Sequence, residues 1–134
     1  MIEEASPATP GYNCNAWAAE DDQRCWWPDA WLIYYWPQGV PRRATIDTFV
    51  TAYGTLGYAP CPDGSLESGF QKIAIYALGD EPTHAARQLS SGLWTSKLGE
   101  EVDVVHDTPD EVTTIPGCDY GRPVQFLRRP VGSA

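Results

Sequence analysis

Cys14 sits in the run Asn13-Cys14-Asn15-Ala16-Trp17, and the chain's two histidines, His84 and His106, follow far downstream. A thiol with candidate bases carried on distant segments is how thiol enzymes are assembled, the base taking the proton that makes sulfur a nucleophile. Asn13 is a favourable N-cap and the run from Cys14 to Glu20 is rich in helix formers, which predicts a short helix with the thiol at its first position. The positive end of a helix favours thiolate, so this placement would lower the thiol pKa.

The elements needed to position these groups follow from the hydrophobic periodicity. Thr45 can cap a helix of about ten residues carrying Ile46, Phe49, Val50 and Tyr53, ending at Gly54 or Gly57. The stretch Tyr58 to Gly64, with Pro60 and Pro62, reads as a rigid turn. Beyond Gly69 the pattern becomes extended. Lys72 to Leu78 is apolar almost throughout and reads as a central strand. A second strand runs from His84 to Leu89, with His84, Ala86 and Gln88 on one face and Ala85, Arg87 and Leu89 on the other. A third, Leu93 to Leu98, is closed by Gly99, which makes an antiparallel meander. Val102 to His106 and Val124 to Leu127 are further strands, with a polar loop from Pro109 to Asp119. The expected class is α+β, with N-terminal helices packed on a small antiparallel sheet. Residues 1–11 read as a flexible leader, 12–129 as one domain and 130–134 as a frayed tail.

Between Cys25 and Pro37 lie four of the six tryptophans and two tyrosines: Trp26, Trp27, Trp31, Trp36 and the pair Tyr34-Tyr35. Such rings either wall the core or form a cleft that grips a partner. Trp17, Trp27 and Trp94 are the candidate substrate-binding rings, and Lys97 would hold an anionic group of the substrate. The acidic balance, 18 Asp and Glu against 9 Lys and Arg for a net charge of −9, opposes binding to nucleic acid and to anionic membranes. No apolar run approaches the roughly 20 residues of a membrane span, and the first residues lack a secretion signal, so the expected compartment is cytoplasmic. There the four cysteines, Cys14, Cys25, Cys61 and Cys118, should be free thiols. After export, a Cys25–Cys61 or Cys61–Cys118 bridge would be possible. Their spacing matches no zinc motif, and no cofactor is implied. A metal site from Cys14, His84 and His106 is a weaker idea.

Two segments carry a resemblance: Asn13-Cys14-Asn15-Ala16-Trp17, and Lys72 to Tyr76 followed by His84-Ala85-Ala86 and Gly92 to Gly99. A Cys-led helix, a strand, a His-led strand and a third strand, in that order, resemble the papain-like cysteine hydrolases, closest to the compact bacterial branch of NlpC-type endopeptidases and CHAP amidases. The pattern Trp94-x-Ser96-Lys97-x-Gly99 followed by His106 also resembles a group of small bacterial proteins. The resemblance implies a papain-like core in which Cys14 is the nucleophile and His84 the base. Attack on an amide or thioester carbonyl would give an acyl-enzyme, completed by water or an amine, with a peptide or protein amide as substrate. The family's third polar residue, which orients the imidazole, has no His, Asn or Gln counterpart in Thr95-Ser96-Lys97. Ser96, Gln88 or His106, flanked by Asp103 and Asp107, could take that place. A non-catalytic protein-interaction module using the Trp26 to Trp36 surface is the alternative function.

Overall fold

The computed structural model describes residues 2–6, 11–98, 103–115 and 119–131. Its helices form where the caps demand them. The Asn13 side chain accepts from Ala16 N at 3.0 Å and starts α1, Cys14–Ala18. The same amide accepts from Trp26 N and donates to Trp26 O, so one residue caps a helix and anchors the next loop. Helix α1 stops at Ala18, short of the expected Glu20, because Glu20 adopts the left-handed conformation (φ 62°). Helix α2, Ile46–Gly54, begins in a reciprocal pair: Thr45 and Thr48 each bond the other's backbone N–H.

Seven strands form one antiparallel sheet in the order β1-β6-β5-β4-β3-β7-β2. They are β1 Ile2–Ser6, β2 Ala59–Cys61, β3 Phe70–Leu78, β4 Glu81–Gln88, β5 Trp94–Lys97, β6 Asp103–His106 and β7 Arg122–Pro130. The class is therefore α+β with an antiparallel sheet, as the periodicity implied. Strand β3 is buried on both sides because both its faces carry apolar residues. Ile73 and Ile75, with Ala85 and Leu127, meet Ala16, Phe49 and Tyr53 of the two helices. Ala74 and Tyr76, with Ala86 and Trp94, meet Val112 of a 3-10 helix, Pro109–Thr114, on the opposite face. Each isoleucine so buried contributes on the order of 1.5–3 kcal/mol.

Several boundaries differ from the sequence reading. Ile2–Ser6, expected in a flexible leader, pairs with β6, Ile2 opposite His106, because backbone pairing along an edge does not need an apolar pattern. The turn at Tyr58 to Gly64 contains β2, paired to β7 through Ala59, Pro60 and Cys61. Strand β4 starts at Glu81, before His84, and Pro82 is accommodated beside a register shift against Ala77. The polar loop after Pro109 holds the 3-10 helix. Strand β7 extends to Pro130, which pairs with Phe70 instead of fraying. Gly99, Val102 and Cys118 lie outside the described residues.

One glycine is required by contact. Gly121 has φ +73°, and a Cβ there would lie 1.9 Å from the Ala77 carbonyl oxygen. Beside it, Thr83 Oγ1 donates to Tyr120 O at 2.5 Å, so the chain crosses β3 and β4 with no room for a side chain. Gly121→Ala is expected to lower unfolding free energy by at least ~2 kcal/mol, from left-handed strain plus the clash, measured by urea denaturation.

Candidate functional site

Alternation along β4 decides which groups can meet. Arg87 pairs with Thr95 and Gln88 with Trp94, while Thr95 pairs with Val105 and Lys97 with Asp103. Ala85, Arg87, Thr95, Lys97 and Asp103 therefore face the helices, and His84, Ala86, Gln88, Trp94, Ser96 and His106 face away. Cys14, at the start of α1, belongs to the first set.

On the helix face the Cys14 thiol meets the backbone of Ala85 and lies near Lys97. Burial pushes the thiol up to about 11, outweighing backbone hydrogen bonds and the Lys97 charge, so the sulfur stays protonated near neutral pH. Tyr12 donates its hydroxyl to Asp103 Oδ2 at 2.7 Å, and Lys97 Nζ lies 5.4 Å from the Tyr12 ring centre. Trp17 stacks on Tyr12 and donates Nε1–H to Thr95 Oγ1 at 2.9 Å. Lys97 is buried, so it is no exposed anchor for a substrate anion.

On the far face the structure brings together His84, Ser96 and His106. His106 Nδ1 lies 2.7 Å from the Thr108 carbonyl, which only accepts, so the proton is on Nδ1. Its Nε2 therefore accepts from the Ser96 hydroxyl at 2.8 Å. Ser96 Oγ in turn accepts from His84 Nε2–H at 3.0 Å. His84 Nδ1 is left with a buried lone pair and no hydrogen-bond donor. The ring is sandwiched by Tyr120, stacked at 4.1 Å, and by the edge of Tyr76 at 4.9 Å. Burial, then the neighbouring His106, pushes His84 down to about 3, and burial also lowers His106. Both imidazoles are neutral at pH 7.

The expected Cys14–His84 pair is thus not formed. The thiol and the imidazole occupy opposite faces of the sheet, because Cys14 meets the backbone of Ala85 and the His84 side chain points the other way. The same separation removes a joint metal site from Cys14, His84 and His106, and no group of three potential ligands occurs among the described residues. The candidate binding rings are likewise dispersed. Trp27 packs edge-on to Phe49 at 5.9 Å, and Trp94 is buried against Phe126 on the far face. Cys14 and Cys61 are free thiols.

The aromatic-rich segment divides sharply. Trp26 and Trp36 are buried, whereas Trp31, Leu32, Ile33 and Tyr34 are 84%, 71%, 71% and 44% exposed. The stem closes where Trp27 N donates to Tyr35 O and Tyr35 N to Cys25 O, each at 3.0 Å. At the tip, Asp29 accepts from Ile33 N at 2.8 Å and Tyr34 N at 3.0 Å. Arg42 Nη1 donates to the Asp29 carbonyl and carboxylate at 3.0 Å, and Nη2 to Tyr34 O at 3.1 Å. Partial burial opposes ionisation of Asp29, but these backbone N–H groups and the Arg42 charge hold its carboxyl below the usual range. Leu32 adopts the left-handed conformation (φ 58°), which costs a non-glycine residue roughly 1–2 kcal/mol. Polar groups are turned inward and apolar side chains outward, forming an apolar finger. Trp31 was legible within the aromatic cluster. Leu32 and Ile33 carried no such signal beyond Asp29, the single carboxylate in the run.

The chain belongs to the family described as Domain of unknown function (DUF7689), whose model matches residues 3–128. No curated protein and no solved structure matches it. Among the described residues no helix is long and apolar enough to cross a membrane.

Two measurements check this geometry. Alkylation of native Cys14, followed against pH by peptide mass spectrometry, should show an apparent pKa near 11, and His84→Ala should leave that profile unchanged; a fast-reacting thiolate near neutrality that needs His84 would refute the opposed-face arrangement. Stability should fall below pH ~6.5, because the unfolded chain binds a proton that folded His84 refuses, with a slope from His84 that approaches about 1.4 kcal/mol per pH unit. Urea unfolding between about pH 5 and 7 should show that loss in wild type and a shallower one in His84→Asn.

Proposed function

We propose, for this member of a family of unknown function, a protein-interaction module that binds through the finger Trp31–Tyr34. The observation that carries this reading is four consecutive large apolar side chains turned to solvent by a loop whose backbone is hydrogen-bonded to Asp29 and Arg42. Burying each such side chain is worth on the order of 1.5–3 kcal/mol. Trp and Tyr are the residues that most often dominate binding energy. A loop already held in one conformation loses little entropy on binding. The exposed, strained Leu32 points the same way, since backbone strain persists where the surroundings enforce it.

The order of a Cys-led helix, a strand and a His-bearing strand supports the papain-like resemblance, and with it a cysteine hydrolase or acyltransferase acting on a peptide amide. The buried, protonated Cys14 and the opposed His84 favour the interaction reading over that chemistry. The acidic surface favours a protein over nucleic acid. Free thiols at Cys14 and Cys61 support a reducing compartment such as the cytoplasm.

The test is a photo-crosslinking amino acid at Ile33 in native extract, with purified chains as competitors. Excess wild type and excess Cys14→Ala should suppress the adduct, while Trp31→Ala should compete at least ~10-fold less well. Trp31→Ala should change stability by no more than ~0.5 kcal/mol, because the ring is solvent-facing. Equal competition by Trp31→Ala, or loss of competition in Cys14→Ala, would overturn the reading.

A further inference from the structure

Arg87 projects from β4 on the helix face and is half-buried. Its guanidinium carbon lies 5.4 Å from the centre of the Trp17 ring, and Nε donates to the Trp17 carbonyl at 3.4 Å. Trp17 is itself fixed, stacked on Tyr12 and bonded to Thr95. Ring and carbonyl therefore hold the guanidinium from one side and use one of its five N–H donors. The other four, on Nη1 and Nη2, have no acceptor among the described residues, and both nitrogens reach solvent.

Desolvation disfavours an unpaired charge, so a cation drawn into a protein is normally matched by a carboxylate. Burial lowers the Arg87 pKa, Glu20 and Tyr58 counter that lowering, and Arg129 adds to it. The carboxylate in this group is engaged elsewhere. Glu20 Oε1 accepts from Arg129 Nη2 at 2.7 Å, and it does so from a left-handed backbone (φ 62°) that disfavours any residue with a Cβ. Arg129 is locked in turn by Gln71 Oε1 at 3.1 Å, the Leu56 carbonyl at 3.2 Å and the Tyr58 ring at 4.7 Å. Burial pushes the Tyr58 hydroxyl up to about 12, so that ring stays neutral. Two guanidiniums against one carboxylate leave this cluster with one surplus positive charge, on a chain whose net charge is −9.

We infer that the Nη edge of Arg87 is a binding site for a single carboxylate group. A planar guanidinium presents parallel N–H donors that match the two oxygens of a carboxylate. Because Trp17 already holds the side chain, little rotamer freedom is lost on binding. The surplus of one charge fits a monoanion, whereas dianionic phosphate would bring a second negative charge towards Glu20. The net charge of −9 opposes the approach of any anion, so the contact is weak and local. A small free acid and an acidic side chain of a protein present the same group to Arg87. The site shares no residue with the finger, and the inference stands without the interaction reading.

The test is an NMR titration of the purified full chain with sodium acetate, with sodium chloride at equal ionic strength as the blank. It is read at the Arg87 side-chain nitrogens and at the Trp17 indole N–H beside them. Acetate should move both signals along a saturable curve with a midpoint between about 1 and about 100 mM, the range of one charge-assisted pair, and chloride should not. Arg87→Gln should abolish the indole response, and Arg87→Lys, which keeps the charge and loses the parallel donors, should weaken it at least ~3-fold. Phosphate should bind more weakly than acetate. No saturable shift of the wild-type Arg87 signal, an equal response to chloride, an indole response that survives in folded Arg87→Gln, or tighter binding of phosphate would overturn the inference. The wild-type signal decides the first two outcomes whether or not the variants fold. A capped Gly-Glu-Gly peptide, with one carboxylate like acetate, separates the sources: tighter binding of the peptide assigns the group to a protein side chain, and equal or weaker binding assigns it to a small free acid.

Discussion

Strand β4 is covered on both sides, and its two-residue alternation is the constraint on which the placement of every reactive group depends. Ala85 is directed to the helices and His84 to the opposite face, with no freedom to exchange because a one-residue slip would invert every side chain of the strand. The small residues Ala85 and Ala86 let both layers approach the strand closely. That approach places the start of α1 against the backbone of Ala85. It also withdraws the half-buried Cys14 from much of the water that would stabilise a thiolate.

The second consequence of two-sided burial is the polar line through the far layer. His84, Ser96 and His106 are wholly enclosed, and each hydrogen bond fixes the direction of the next, starting from the Thr108 carbonyl. Neutral imidazoles suit this setting, because burying an imidazolium would cost far more than the hydrogen bonds return. The stacked Tyr120 ring and the close crossing of Gly121 over Ala77 hold the enclosure shut. On the helix side, Trp17 with Thr95 and Tyr12 with Asp103 similarly use polar tips to pin aromatic bodies over the sheet.

The finger obeys the reverse logic. Asp29 and Arg42 take the place that a core would otherwise occupy, binding the backbone N–H and C=O groups of the tip from within. Once these groups are satisfied locally, nothing draws Trp31, Leu32 or Ile33 inward, and the buried neighbours Trp26 and Trp36 anchor the stem to the α2 side of the core. An aromatic-rich segment thereby serves two purposes, wall and exposed surface, within twelve residues.

Much of the fold was legible from local pattern alone. Asn13 and Thr45 are caps wherever they precede helix formers, and the apolar run from Lys72 to Leu78 can only be a strand covered on both faces. The separate faces of β4 were legible too, since alternation places His84 with Ala86 and Gln88. What periodicity does not encode is which face the helices cover, because β3 is apolar on both sides and β4 offers small residues to each. Only tertiary packing chose the Ala85 face for α1, and that choice separated Cys14 from His84. Likewise, composition marked Trp26 to Trp36 as aromatic but not which rings are buried. That division depends on hydrogen bonds accepted by Asp29 and donated by Arg42, 13 residues away, and such contacts exist only once the chain has folded back on itself.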